Sequence, residues 1–450
     1  MTFDYDLFVI GAGPGGLAAA KKAASYGARV AIAEQEAIGG TCVNRGCVPK
    51  KLIVHAADVA LQNQMAYSYG WSDYQTTFDW TKFIRSVHKH IESINRSSSK
   101  QLQNAGIELI RSQATFTNTH TLEVHGRKVT ADKILIAVGA KPILPEISGI
   151  EFAITSREMF HLPYLPKRLA IVGGGYIGVE FSSMMNAFGC EVTIIDQDEM
   201  ILSGFDDDIR RGVQEGLTKR KIRFIGNRTA QEIKYSEENL LLTMSGDSQN
   251  IITADTILMA TGRAPNTKNL GLEKAGVELG EKGAIKVDEY SRTTQENIFA
   301  VGDCTNRLPL TPVARSEAAA FANTVFGKKQ QKVNYDYVPS AVFARPEAAS
   351  VGMTEAKARE KFGESVKCYR DRFQPLFSQM TKEGDQATIK LVVEGESERI
   401  LGVHMVGEHA ADIIQSLTVA IRKGITKQDL DETIGIHPTT AEEFYLFGSQ

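Results

Sequence analysis

Tyr5-Asp6-Leu7-Phe8-Val9-Ile10, running straight into Gly11-Ala12-Gly13-Pro14-Gly15-Gly16, is the stretch from which the fold of this 450-residue chain can be read. The first six residues form a buried strand, and the glycine cluster breaks it. A helical pattern follows through Ala20 to Ser25. Ala28-Arg29-Val30-Ala31-Ile32-Ala33 then makes a second strand ending at Glu34. Strand, glycine turn, helix, strand and acid, in that order, make a dinucleotide-binding unit. Gly11 permits the tight turn, Gly13 lets the backbone approach a pyrophosphate, and Gly16 lets helix and strand pack closely. Glu34 is placed to accept hydrogen bonds from a ribose.

The same order returns later. Arg168-Leu169-Ala170-Ile171-Val172 is a strand, Gly173, Gly175 and Gly178 lie in the turn, and Glu191 to Ile195 leads to Asp196. Glu34 lies 23 residues after Gly11, and Asp196 lies 23 after Gly173. Equal spacing argues for two dinucleotide sites. Two short apolar strands, Ile134 to Gly139 and Thr256 to Gly262, mark where the chain leaves one nucleotide domain for the next. A further buried strand, Asn297 to Asp303, ends on an acid that either contacts the ribityl chain of a flavin or serves as a simple turn residue. From about Tyr335 strand-like segments (Ala341 to Phe343, Gln386 to Val393, Ile400 to Val406) alternate with helical ones, the pattern of an α+β domain on an antiparallel sheet.

The bulk numbers fit this reading. A chain of this length has room for about three domains. Hydrophobic content of 42% and charged content of 23% describe an ordinary globular protein. The formal net charge of −3 gives nucleic-acid binding no electrostatic support. No apolar run approaches the roughly 18 residues of a membrane helix, and Met1 to Tyr5 lead directly into a strand, which leaves no room for a signal peptide. The expected compartment is the reducing cytoplasm.

That compartment bears on Cys42 and Cys47, which sit in Gly39-Gly40-Thr41-Cys42-Val43-Asn44-Arg45-Gly46-Cys47-Val48-Pro49-Lys50-Lys51. Two cysteines at this spacing can close a small ring. At the start of a helix a thiolate is stabilised and poised for exchange. A structural bridge or a pair of buried thiols is the competing reading, but a disulfide in a reducing compartment is more often catalytic. Nicotinamide alone does not ordinarily reduce a disulfide, so a redox pair after the first unit calls for a flavin there and a nicotinamide donor in the second unit. Cys190, Cys304 and Cys368 stand alone in sequence. Nothing in the pattern calls for a metal.

The chain resembles the glutathione reductases of the flavoprotein disulfide reductase family from Tyr5 to about Phe444. The residues that carry the likeness are Gly40-Thr41-Cys42 through Cys47-Val48-Pro49-Lys50-Lys51, Gly302-Asp303, Leu310-Thr311-Pro312-Val313-Ala314, Phe373-Gln374-Pro375-Leu376-Phe377 and His437-Pro438-Thr439-Thr440-Ala441-Glu442-Glu443. Gly448-Ser449-Gln450 lacks the extra redox pair of large thioredoxin reductases and mercuric reductases. The resemblance implies an α/β fold with two Rossmann-like dinucleotide-binding domains plus a C-terminal α+β dimerisation domain. It divides the chain into an FAD-binding domain (1–145), a nicotinamide-nucleotide domain (146–264), a return to the FAD and central region (265–334) and an interface domain (335–450).

The resemblance also implies roles. Cys47 matches the flavin-proximal sulfur that becomes the charge-transfer thiolate, and Cys42 matches the interchange sulfur that attacks the substrate. Thr41 and Asp303 match flavin contacts, and Gly262 a nicotinamide-nucleotide contact. Lys50 and Glu180 match an ion pair beside the reactive edge of the flavin, and Tyr176 an aromatic lid over the nicotinamide, with core packing as its plain alternative. His437, oriented by Glu442, matches the acid–base group. In the family this histidine comes from the partner subunit, which implies an obligate homodimer. Lys21, with Lys22 beside it, and Glu443 match substrate contacts, although two lysines on a helix are equally an ordinary solvated face. The implied activity is reduction of glutathione disulfide by NAD(P)H in the upkeep of cell redox balance.

Departures from the family pattern matter as much. NADPH-dependent members usually carry arginines just after the second strand of the nicotinamide unit. Here Gln197 and Ser203 stand there, among Asp196, Asp198 and Glu199. A dianionic phosphate about 6 Å from a carboxylate costs roughly 0.7 to 3 kcal/mol per charge pair. The expectation is a preference for NADH, unless Arg210, Arg211 or Lys219 folds back towards the phosphate. In the substrate pocket, Ser98 replaces a usual tyrosine and Ala319 a usual arginine, so a different small disulfide, such as a modified glutathione, is the alternative substrate. Dihydrolipoamide dehydrogenase and a redox-sensing flavoprotein scaffold are the further alternatives.

Overall fold

A computed structural model describes residues 2–72, 77–246, 250–381 and 384–447; Gly448, Ser449 and Gln450 lie outside the described residues. The chain divides into two compact units. One contains Met1–Leu52, Thr81–Ile143 and Gly262–Asn334; the other contains Ile53–Trp80, Leu144–Thr261 and Tyr335–Gln450.

In the first unit the strand Tyr5–Ile10 pairs in parallel with Val30–Ala33 on one side and Arg127–Ile136 on the other. Glu108–Ile110 pairs in parallel with Val30–Ala33, and Ile298–Ala300 pairs in parallel with the last residues of Arg127–Ile136. Alternate residues of the central strand enter different cores. Phe8 and Ile10 pack with Ile134, Phe116 and Ile298, while Leu7 and Val9 pack with Ile32, Leu135 and Phe321. Burial on both faces explains why these strands read as continuous apolar runs.

The second unit repeats the arrangement: Arg223–Ile225, Glu191–Ile195, Arg168–Val172, Thr256–Met259 and Ile154–Thr155 form a five-stranded parallel sheet. The two turns also agree in detail. A Cβ added at Gly16 would lie 1.9 Å from the Gly11 carbonyl oxygen, and one at Gly178 would lie 1.9 Å from that of Gly173. Backbone oxygen cannot yield as a flexible side chain can. Gly16→Ala is therefore expected to cost about 3 kcal/mol and to lower the flavin retained on purification. Thermal unfolding with absorbance at the flavin band measures both.

The C-terminal part holds a five-stranded antiparallel sheet in the order Ser340–Val342, Ala348–Gly352, Ile400–Val406, Ala387–Glu394, Val366–Phe373. Buried in it is a charge cluster that the sequence did not announce. Lys390, 2% exposed, reaches Asp206 at 2.7 Å, Asp208 at 2.6 Å and Glu355 at 2.8 Å. Asp206 also caps a helix, accepting from the Asp208 N–H at the start of Asp207–Lys219. Its second oxygen accepts from Glu355 N–H. Burial alone would push the Asp208 carboxyl up, but hydrogen bonds from Lys390, Arg211 and Arg370 overcome it and hold the carboxyl well below its ordinary range. Among the described residues, no helix is long and apolar enough to cross a membrane.

Candidate active site

The redox segment forms two helices, Gly40–Arg45 and Cys47–Met65, separated by Gly46. Cys42 lies inside the first and Cys47 opens the second. The segment is held against the first dinucleotide turn: Gly39 N–H donates to the Ala12 carbonyl at 2.8 Å, and a Cβ on Gly40 would come within 2.8 Å of Gly13 Cα. Asn44 clamps the loop from inside, its amide donating to the carbonyls of Ala37, Ile38 and Gly40 at 3.3, 3.0 and 2.9 Å. Asn95, on the helix Trp80–Asn104, donates in turn to Asn44 Oδ1 at 2.8 Å. Asn44 and Asn95 escaped the sequence reading because an isolated asparagine carries no spacing signal.

Cys42 is half-buried and Cys47 exposed, and in the reduced state both are thiols. Their single shared hydrogen bond makes them unequal. The Cys42 S–H donates to Cys47, which pushes the Cys42 thiol well up; burial adds to this, and the nearby Arg315 charge opposes it. The same bond brings Cys47 down to about 6 against its own desolvation, helped by the Thr311 hydroxyl and the Lys50 charge. Thr311 Oγ1 lies 3.5 Å from Cys47 Sγ. The reduced pair therefore holds its charge on Cys47 and its proton on Cys42.

The acids after each second strand are wired alike. Glu34 accepts from Ala12 N–H and Glu36 N–H, each at 2.8 Å. Asp196 accepts from Gly174 N–H and, at 2.8 Å, from Asp198 N–H. Each carboxylate thus ties the glycine turn to the loop beyond its strand. Gly13 and Gly175 are the N-cap positions of the helices Pro14–Ser25 and Tyr176–Ala187; neither has a side-chain cap, and an added Cβ at either would meet nothing within 4 Å. Open space in front of uncapped backbone N–H groups fits the pyrophosphate of FAD at the first turn and of a nicotinamide nucleotide at the second. Thr41 belongs to the redox helix. Tyr176 is 45% exposed at the start of the second unit's helix. Gly262 N-terminally flanks the strand Arg263–Pro265.

Asp303 stands on a short helical turn after Ile298–Ala300, with Arg263 at 3.5 Å. Behind it, Glu317 (1% exposed) accepts from Gly302 N–H at 2.6 Å and pairs with Arg307 at 3.0 Å. This buried brace was missed because its partners come from separate segments. Lys21 Nζ donates to Gln101 Oε1 at 3.1 Å, while Ser98 and Ala319 are both half-buried.

In the second unit Glu180 is buried and accepts from Phe343 N–H at 2.9 Å. His437, 83% exposed in its side chain, donates from Nδ1 to the Glu442 carboxylate, with contacts of 3.1 and 3.2 Å. Among the described residues no hydrogen bond engages its Nε2. Burial and the charges of Asp371 and Glu442 raise the neighbouring Glu443 above its ordinary range. Cys42, Cys47, Thr311 and Lys50 are thus gathered in the first unit, and Glu180, His437 and Glu442 belong to the second.

Comparisons with known proteins agree with this chemistry. The family model for pyridine nucleotide-disulphide oxidoreductases matches residues 5–318, and that family's dimerisation-domain model matches 338–446. A glutathione reductase of Nostoc sp. is 49% identical over 99% of both chains, and one of Burkholderia cepacia is 44% identical over 98% of both. Among solved structures, the HOCl-induced flavoprotein disulfide reductase RclA from Escherichia coli superposes with a TM-score of 0.88 at 29% identity, covering 99% of each chain. With its two dinucleotide turns, its dithiol and its dimerisation domain, the chain belongs to the pyridine nucleotide-disulphide oxidoreductases, among the glutathione reductases, as an enzyme that uses FAD and a pyridine nucleotide.

Proposed function

We propose that the protein reduces glutathione disulfide with NADH as the preferred donor, working as a cytoplasmic homodimer. The Cys42–Cys47 pair carries the reading, because two sulfurs with opposite protonation preferences on one loop suit a thiol–disulfide exchange. FAD supplies the relay of a hydride equivalent from the nicotinamide to the pair. Gly11, Gly13, Gly16, Glu34, Thr41 and Asp303 would hold it, and Lys50, on the first turn of the Cys47 helix, adds a cation near the dithiol. Gly173, Gly175, Gly178, Asp196 and Gly262 would hold the nucleotide, with Tyr176 as its lid, and Glu180 belongs to the same helix as Tyr176. His437, steadied by Glu442, takes the proton of Cys42, whose thiolate attacks the substrate disulfide, and hands that proton to the departing glutathione thiolate. That thiolate leaves as one product; Cys47 then attacks Cys42 and releases the second. His437 of each protomer serves its partner's dithiol, and Lys21 and Glu443 contact the substrate.

The nucleotide preference rests on charge. Asp196 is held in place by two backbone bonds, and the three bases able to fold back are engaged. Arg210 binds the carbonyls of Met200 and Ile201, Arg211 pairs with Asp208, and Lys219 donates to the Gly384 carbonyl. The expected result is a higher kcat/KM with NADH than with NADPH. Gln197→Arg with Ser203→Arg should raise kcat/KM for NADPH about tenfold or more. A strong NADPH preference in the unaltered enzyme would contradict the assignment. The alternative substrate, another small disulfide, draws on Ser98 and Ala319, and steady-state rates with a panel of disulfides separate the two.

A further inference from the structure

We infer that Arg315 binds a carboxylate of the disulfide substrate and holds that substrate against Cys42. This assignment rests on the reading of an acidic, glutathione-like disulfide given above. The helix Thr311–Val325 fixes the geometry. Its inward side is Val313, Ala314, Glu317, Ala318 and Phe321, all buried. Thr311 begins the helix with its hydroxyl 3.5 Å from Cys47 Sγ. Residues four apart share a helix face, about 6 Å from one to the next. Arg315 therefore follows Thr311 on the side turned to the dithiol, one turn on, and Ala319 after it offers only a methyl group to the same face.

Two observations set Arg315 apart from an ordinary surface arginine. Its side chain is exposed, and no hydrogen bond or ion pair engages its guanidinium among the described residues. Its charge acts on the Cys42 thiol, the sulfur that meets the substrate. Lys21, the other cation assigned to substrate, already donates to Gln101. A guanidinium presents a planar fork that matches a carboxylate in two parallel hydrogen bonds, and glutathione disulfide carries four carboxylates. Neither Asp196 nor any other nucleotide contact lies on this helix, so the assignment concerns the substrate alone.

The test compares Arg315→Gln with the unaltered holoenzyme on three probes: glutathione disulfide, 3,3′-dithiodipropionate (carboxylates retained, peptide removed) and bis(2-hydroxyethyl) disulfide (no charge). We expect KM for both acidic disulfides to rise about tenfold or more, with kcat changed less than about threefold. Kinetics with the neutral disulfide should change less than about threefold, the share owed to the lost charge beside Cys42, and KM for the nicotinamide nucleotide should not move. Arg315→Lys should recover part of the loss. Equal KM values for the acidic disulfides in variant and parent would overturn the inference, as would an equal loss on the neutral one, which would mark a role in tuning Cys42. If the unaltered enzyme ignores glutathione disulfide but turns over dithiodipropionate, the substrate reading fails on its own and the Arg315 comparison is still decided by the second probe.

Discussion

Replacing either Cys42 or Cys47 by serine is expected to lower disulfide reduction by about 10⁴-fold or more. Each sulfur is one end of the bond that must open and close in every cycle, so no partial function survives the loss of one. Thiolate chemistry adds a second, graded readout. Cys47 sits near 6 chiefly because Cys42 donates a hydrogen bond to it, with Thr311 and Lys50 assisting against desolvation. Cys42→Ala removes the largest of these causes, so the Cys47 value should climb towards the ordinary thiol range, about 8.5. The pH profile of alkylation of the reduced protein reads this directly. Below about pH 6 the unaltered Cys47 should become protonated and unreactive, and in the variant that loss should begin at higher pH. An unchanged profile would mean that the hydrogen bond between the sulfurs does not set the charge.

His437→Ala should lower kcat by about 10² to 10⁴-fold, the usual contribution of a positioned acid–base group. The arrangement gives the reason: with Nδ1 bound to Glu442 at 3.1 Å, the tautomer and ring direction are fixed, and Nε2 remains to exchange a proton. Glu442→Gln keeps the size of the side chain but weakens that hold, and a smaller loss is expected. Crossed protomers test where the histidine acts. Mixing and reassociating Cys42→Ser protomers with His437→Ala protomers should restore activity from heterodimers, because one of their two sites then has both its dithiol and the partner's imidazole. No recovery, with heterodimers shown to form, would place each histidine with its own dithiol.

How much of this was legible in the sequence depended on the range of the interaction. The dinucleotide turns are local: strand, glycines, helix and acid lie within about 30 residues, so the equal spacing of Glu34 and Asp196 could be read directly. Their matched hydrogen bonds to Ala12 and Gly174 follow from that spacing. An acid run ahead of a helix, as at Asp206, is legible as a cap for the same reason. Its pairing with Lys390 was not, because 184 residues separate the two and a lysine inside an apolar strand looks like any exposed position. Arg345, bound to Asp58 through both carboxylate oxygens at 2.6 Å, was hidden for the same reason. Strands Ala348–Gly352 and Val366–Phe373 also went unnamed, being short or mixed in polarity. The dithiol announced itself by its spacing, but the Thr311 hydroxyl that supports it comes from 264 residues away.

Differential labelling of the cysteines tests the central claim most directly. The holoenzyme is alkylated anaerobically before and after one equivalent of NADH, and the five cysteines are mapped by mass spectrometry. Cys42 and Cys47 should change from unlabelled to labelled. Cys190 and Cys304, buried and pushed up to about 12, should not change, and neither should Cys368. Labelling at Cys42 and Cys47 that is the same before and after reduction would contradict the account.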